Sequence, residues 1–162
     1  MALAARGEQA CAANGAVMRC APVALRFRRD PARLVRASLD SARVTHAEAR
    51  ASWGTVAVNQ AIAYLLDGGA IAAVPAAAVA GIPNSEVREA VRDAAGRQRD
   101  EVRSGGFVLE TIGASFWALL NAGSAREAIE TAVALGGDAD STGAVTGALA
   151  GAAYGVSALP TT

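Results

Sequence analysis

Residues 143–159 read GAVTGALAGAAYGVSAL, an uncharged run in which Gly143, Gly147, Gly151 and Gly155 recur at every fourth position. A spacing of four returns to one face of an α-helix, and small residues there let another backbone come close. The run is built mainly of Ala and Gly, is short for a bilayer and lacks a basic flank or aromatic belt, so no membrane span is expected. The expectation is a buried helix whose glycine edge is closed by a neighbouring backbone. A helix of that kind needs other helices around it.

The rest of the chain supplies them. Asp30-Pro31 is an N-cap followed by proline at the first helical position, and it opens a helix over 31–43. Thr45-His46-Ala47-Glu48 has the form of a capping box before a long helix ending near Asp67, with Gly68-Gly69 as its stop. An Ala-rich helix is expected over 70–80, bent or restarted at Pro75. Asn84 is placed to cap a charged helix through about Arg103, and Ser104-Gly105-Gly106 breaks it. An apolar helix over 110–121 follows. Ser124 to Glu127 form a second capping box, for a helix running to Leu135. No stretch sustains period-two alternation. The reading is an all-α, compact multi-helix bundle of six or seven helices, with residues 1–162 as a single domain.

Composition narrows the chemistry. Acidic and basic residues balance at 15 each, so no strong field favours nucleic acid or an acidic membrane surface. All the basic residues are arginine, and the absence of lysine excludes a Schiff base, a phosphate-loop lysine and a Ser–Lys dyad. Arg26, Arg28, Arg29, Arg33 and Arg36 are read as a solvated face, and Arg19 as a structural ion-pair partner. Cys11 and Cys20 have no metal-site spacing and are read as idle thiols in a reducing compartment. The N-terminus lacks the apolar core of a signal peptide, so the expected location is the cytoplasm.

The sharpest chemistry lies immediately before the glycine-spaced run, in Gly136-Gly137-Asp138-Ala139-Asp140-Ser141. If the last helix begins near Asp140, both carboxylates and the Ser141 hydroxyl converge beyond its N-terminus. One reading makes an aspartate the N-cap and the other a partner of the helix dipole. The other reading is a hard-cation site, because carboxylate and hydroxyl oxygens suit Mg²⁺, Mn²⁺ or Ca²⁺ rather than Zn²⁺. Three ligands do not complete an octahedron, so water, substrate or other residues must supply the rest.

GGDADSTGAVTGALAGAAYG resembles the C-terminal metal motif of the ADP-ribosylglycohydrolase family. NGAVMRCAPVAL, THAEARASWGTVAVNQAIAYLL and SGGFVLETIGASFWALLNAGSAREAIETAV resemble three further family segments, in the same order. The resemblance implies a helical fold with a dinuclear Mg²⁺ or Mn²⁺ centre in a cleft that binds ADP-ribose. It places Asp138, Asp140 and Ser141 as metal ligands, and His46 near the phosphates and ribose. Asn14 and Gly15 would line the ribose–diphosphate pocket. Gly105, Gly106 and Phe107 would flank the adenosine side, with Phe107 either packing on the base or belonging to the core. The implied reaction is hydrolysis at the anomeric carbon of an ADP-ribosyl group on a protein or small molecule.

The family's N-terminal acidic motifs, which supply the other metal ligands and a catalytic glutamate, have no counterpart here. The N-terminal part of the fold is therefore expected to be absent, and the catalytic residues with it. Three expectations follow: a fragment of an active hydrolase, one half of a split enzyme completed by a separate N-terminal-half chain, or a degenerate member that binds ADP-ribose or protein without catalysis.

Overall fold

The computed structural model describes residues 12–159. Eight α-helices follow one another: α1 (Ala21–Phe27), α2 (Pro31–Arg43), α3 (Ala49–Leu66), α4 (Val74–Ala78), α5 (Ser85–Arg92), α6 (Val108–Leu120), α7 (Ala125–Val133) and α8 (Ala139–Tyr154). A 3₁₀ turn at Asn14–Arg19 precedes them. The described residues contain no strand, only an isolated antiparallel bridge between Ala13 and Phe107.

Helix α3 is the axis of the packing and touches α1, α2, α4, α6 and α8. Its first-turn residue Ala51 and its later Ala57 and Ala61 are fully buried, so the neighbours sit close on several sides. The tightest crossing is at Gly54, where a Cβ would come 2.5 Å from Ile112 Cδ1 of α6. Around that crossing the core closes with Val56, Ile62, Val108, Ile112, Phe116, Leu119 and Leu149, all at most 2 % exposed. Burying each of these larger side chains contributes about 1.5–3 kcal/mol relative to leaving it in water.

The glycine-spaced run does form a helix, α8, and it packs on α7, α6 and α3. Its buried face is Val145, Thr146, Leu149 and Ala150, however, and not the glycine edge. A Cβ at Gly143 would meet only Val133 Cγ2 at 3.2 Å, and one at Gly147 would meet nothing within 4 Å. The larger apolar residues of α8 decided which face turned inward, and the close backbone approach is made at Gly54 instead. No helix among the described residues is long and apolar enough to cross a membrane.

Two boundaries also differ from the sequence reading. Thr45 does not cap α3. Glu48 is the N-cap, and its carboxylate accepts from the Arg50 and Ala51 amides at 2.8 and 3.2 Å. Helix α5 starts at Asn84 as expected, with Asn84 Oδ1 accepting from the Val87 amide at 2.9 Å, but stops at Arg92. Beyond it the chain breaks into 3₁₀ turns at Ala94–Gly96 and Arg99–Glu101, and the Arg97 carbonyl accepts from Trp117 Nε1 at 3.0 Å instead of continuing the helix. Pro75 stands at the start of the short α4, where its missing amide hydrogen costs nothing. Helix α1 was not expected from the sequence, although Pro22 at its N-terminus is a legible start signal.

Candidate functional site

The chain brings three distant segments to one corner. The 3₁₀ turn that opens at Asn14 lies against the loop 105–107: the Asn14 amide donates to Gly106 O at 3.1 Å, and the Val108 amide donates to Ala12 O at 2.8 Å. The loop that precedes α8 is tied to the same place, with the Asp138 amide donating to Ser104 O at 2.7 Å and Ser104 Oγ to Gly136 O at 2.8 Å. Gly137 makes this crossing possible. It has φ of +62°, and a Cβ there would stand 2.5 Å from Ser104 O. Only glycine combines that backbone with that approach.

Asn14 holds the corner together. It is 6 % exposed, and its Nδ2 donates both to Thr111 Oγ1 of α6 at 2.8 Å and to Asp138 Oδ2 at 2.6 Å. The donation to Asp138 is the main reason that its carboxyl lies below the usual carboxylate range, against an upward push from burial. Thr111 Oγ1 in turn donates to Gly105 O at 3.2 Å, which ties α6 to the loop beside the aspartate. Thr111 and Ser104 were not singled out from the sequence. A buried threonine in an apolar helix carries no signal until its partner across the fold is known.

Asp138 is the N-cap residue of α8, but its side chain makes no cap hydrogen bond. The carboxylate accepts from Asn14 across the corner, and hydrogen bonding from the first turn of its own helix, at Asp140 and Ser141, also holds it in its charged form. Asp140 is exposed on the first turn, and Ser141 Oγ is buried, 3.5 Å from Met18 Sδ. The set is therefore two carboxylates and a hydroxyl at the positive end of a sixteen-residue helix. These hard oxygen donors fit Mg²⁺ or Mn²⁺. Among the described residues no group of three or more His, Cys, Asp and Glu gathers to complete a shell, so the donors suffice for part of one.

His46 closes over the other side of the Asn14 turn. A Cβ at Gly15 would lie 2.6 Å from His46 Cε1, so the absence of a side chain at Gly15 is what admits the ring. Arg19 fixes the approach: it donates to Gly15 O at 3.1 Å, to Ser41 O at 3.2 Å and to Thr45 Oγ1 at 2.7 Å. These partners are neutral, so Arg19 is a hydrogen-bonding brace and not the ion-pair partner expected from the sequence. Thr45 Oγ1 also lies 2.8 Å from His46 Nδ1. Thr45 Oγ1 accepts from the guanidinium, and its own hydrogen can point to Nδ1 when the ring proton is on Nε2. Burial first, and the Arg19 charge second, push the imidazole below its ordinary value of 6.5.

Gly105, Gly106 and Phe107 form the third wall. The Gly105 amide donates to Glu110 Oε2 at 3.1 Å, and a Cβ at Gly106 would be 3.5 Å from Asp138 Oδ2. The Phe107 ring is half-buried, packs against the core, and carries the Arg50 guanidinium at 5.3 Å from its centroid. Of the remaining expected features, Arg28 pairs with Asp67 at 3.3 Å, while Arg26 and Arg33 lie over the Phe27 ring at 5.1 and 5.6 Å. Cys20 is fully buried with its thiol pushed up to about 12 by burial, and Cys11 lies outside the described residues.

A family model described as ADP-ribosylglycohydrolase matches residues 2–162. The chain belongs to the ADP-ribosylglycohydrolase family. It is 33 % identical over 154 residues to an ADP-ribosylarginine hydrolase Tri1 from Serratia proteamaculans (strain 568), a match covering 94 % of this chain and 42 % of that protein. It is 29 % identical over 155 residues to an ADP-ribosyl-[dinitrogen reductase] glycohydrolase from Rhodospirillum rubrum, covering 92 % of this chain and 48 % of the relative. A solved structure titled ADP-ribosylglycohydrolase-related protein complex superposes with a TM-score of 0.84 at 32 % identity, over 94 % of this chain and 53 % of that one. The all-α architecture is thus that of the ADP-ribosylglycohydrolase fold. The chain spans about half the length of the curated relatives that it matches along nearly its whole length.

Proposed function

We propose that this chain holds an ADP-ribosyl group at the corner formed by the Asn14 turn, the loop 105–107 and the N-terminus of α8, and serves its hydrolytic release from a protein acceptor. The observation that supports the reading best is the 2.6 Å hydrogen bond from Asn14 Nδ2 to Asp138 Oδ2. It joins residues 124 apart in sequence and fixes one carboxylate facing outward from a helix N-terminus. The relatives' names specify ADP-ribosylarginine and ADP-ribosyl-dinitrogen reductase, and an ADP-ribosylated protein is the corresponding substrate class here.

In this reading Asp138, Asp140 and Ser141 hold Mg²⁺ or Mn²⁺, which supplies Lewis-acid charge for orienting ribose hydroxyls and water. The α8 N-terminus and Gly106, whose missing side chain keeps the Asp138 carboxylate uncovered, leave room for anionic oxygens near the carboxylates. His46, neutral with its proton on Nε2, donates a hydrogen bond toward phosphate or ribose oxygen from the far side of Gly15. Asn14 keeps Asp138 ionised as the ligand approaches. Phe107 offers its ring to the adenine. Hydrolysis at the anomeric carbon passes, in this reading, through an oxocarbenium-like transition state.

The test is a circular-dichroism melt of the 162-residue chain with and without Mg²⁺ plus ADP-ribose. A ligand at one hundred times its dissociation constant adds about 2.7 kcal/mol to the native state. For a chain of this size that is an upward shift of roughly 5–11 °C. Asp138→Asn together with Asp140→Asn should remove the shift. A wild-type melt indifferent to both ligands would overturn the proposal.

A further inference from the structure

The loop 105–107 is held in place by something no family resemblance suggested. Arg50 lies in the first turn of α3, four residues after His46, and its side chain is only 15 % exposed. Its Nε pairs with Glu48 Oε1 at 2.9 Å and its Nη1 with Glu86 Oε2 of α5 at 3.5 Å. Glu48 is itself fixed, because its other oxygen caps the amides of Arg50 and Ala51. The guanidinium is therefore anchored on two elements, α3 and α5, before it reaches the ring of Phe107 at 5.3 Å from the centroid.

We propose that Arg50 is a positioning residue: it clamps one face of Phe107 so that the ring stands as a preset platform for the adenine of ADP-ribose. The inference rests on the functional reading above and deepens it. The guanidinium occupies one face of the half-buried ring, so in this proposal a base stacks from the side that Arg50 leaves. A cation on one face also draws electron density from the ring, which favours an electron-rich purine opposite. The platform then carries no ordering cost when the ligand arrives, since the loop is already tied by the Asn14 amide to Gly106 O and by the Gly105 amide to Glu110. The two carboxylates explain why an arginine serves here. Its planar fork takes both and still presents its flat face to the ring, which an ammonium does not.

The experiment is a double-mutant cycle on ADP-ribose affinity, measured by calorimetry on the 162-residue chain with Arg50→Met, Phe107→Ala and the pair. Arg50→Met should weaken binding by about three- to tenfold, in keeping with a partly desolvated cation–π contact. In the Phe107→Ala background the same change should cost less than about twofold, because the platform it supports is gone. Losses that multiply, or an Arg50→Met protein that binds like the wild type, would overturn the inference. Glu86→Gln removes one anchor from a side chain 55 % exposed and keeps the first turn of α3 intact, so it serves if Arg50→Met does not fold, with a smaller loss expected and an unchanged affinity counting against the clamp. Hydrogen exchange of residues 105–108 in the ligand-free protein gives a second readout. Faster exchange in Arg50→Met or Glu86→Gln supports the clamp and unchanged exchange overturns it. A wild-type chain that fails to bind ADP-ribose sinks the functional reading, and the exchange measurement then decides the clamp alone.

Discussion

Two buried asparagines in this protein do different work. Asn14, at the head of the 3₁₀ turn, donates to Thr111 and to Asp138 and so joins three segments of the chain. Asn59, fully buried in α3, donates to Ser38 Oγ of α2 at 2.8 Å and its Oδ1 finds no protein partner among the described residues. Ser38 Oγ is already satisfied through the Leu34 carbonyl at 2.7 Å. Asn59 thus decorates one helix–helix contact, and its loss leaves nothing stranded. Asn14 is the common partner of a carboxylate and a threonine that face each other only because it stands between them. The comparison separates a polar residue that the packing tolerates from one on which the site depends.

The largest effect should come from removing the crossing that lets Asn14 reach Asp138. Gly137→Ala places a methyl against the Ser104 carbonyl at a backbone position with positive φ. The expected cost is about 2–3 kcal/mol in a denaturant titration, together with loss of the ADP-ribose-induced melting shift. Retained stability would show that the 104–106 and 136–138 loops are not locked together. Asn14→Leu comes next. It strips Asp138 of its Asn14 donor and should cost about 1–3 kcal/mol. It should also return the Asp138 carboxyl toward its ordinary range. Because the folded value is depressed, the stability it contributes is present above the unfolded value and lost as pH falls through the folded one. The acid limb of the stability–pH curve should therefore flatten in Asn14→Leu. An unchanged acid limb would count against the hydrogen bond.

Asn59→Leu with Ser38→Ala is the matching change in the other region. Removing both partners of a buried hydrogen bond in favour of apolar groups of similar size is nearly neutral, so stability should stay within about 1 kcal/mol and ADP-ribose binding should be unaffected. A loss comparable with Asn14→Leu would erase the distinction between the two asparagines.

The same contrast explains what could be read from the sequence. The all-α architecture was legible because helix caps, prolines and glycine stops are local: Asp30 accepts from the Arg33 amide, Asn84 from Val87 and Ser124 from Glu127, as their positions suggested. The candidate site residues were picked out through resemblance, and of them Asn14, Gly106 and Asp138 lie together at one corner. Thr111, Ser104 and Arg50 were not legible, because each acts through a partner between 32 and 97 residues away or on another element. The Thr45 cap failed for a related reason. Its hydroxyl fits the local pattern, but Arg19 and His46 claim it, and Glu48 caps the helix in its place. A glycine stripe shows that close approach is allowed and not where it happens, which is why Gly54 and not Gly147 meets a neighbour.

The smallest predicted effect concerns His46, where the same brace that shapes the corner also sets a proton. The chain has one histidine, so a single Cε1–H resonance reports its titration without assignment. Burial and the Arg19 charge lower its folded value below 6.5. A depressed imidazole contributes stability above the unfolded value, and that contribution is lost as pH falls through the folded value and the ring must charge beside a guanidinium. Arg19→Gln should move the midpoint back up toward 6.5, while also releasing the Gly15 and Thr45 contacts. Thr45→Val removes the hydroxyl at Nδ1 without touching the Arg19 charge, so it distinguishes the two influences. If the wild-type resonance titrates above 6.5, the ring is an imidazolium near neutrality, and the neutral Nε2–H donor assigned to the phosphate side of the corner must be given up.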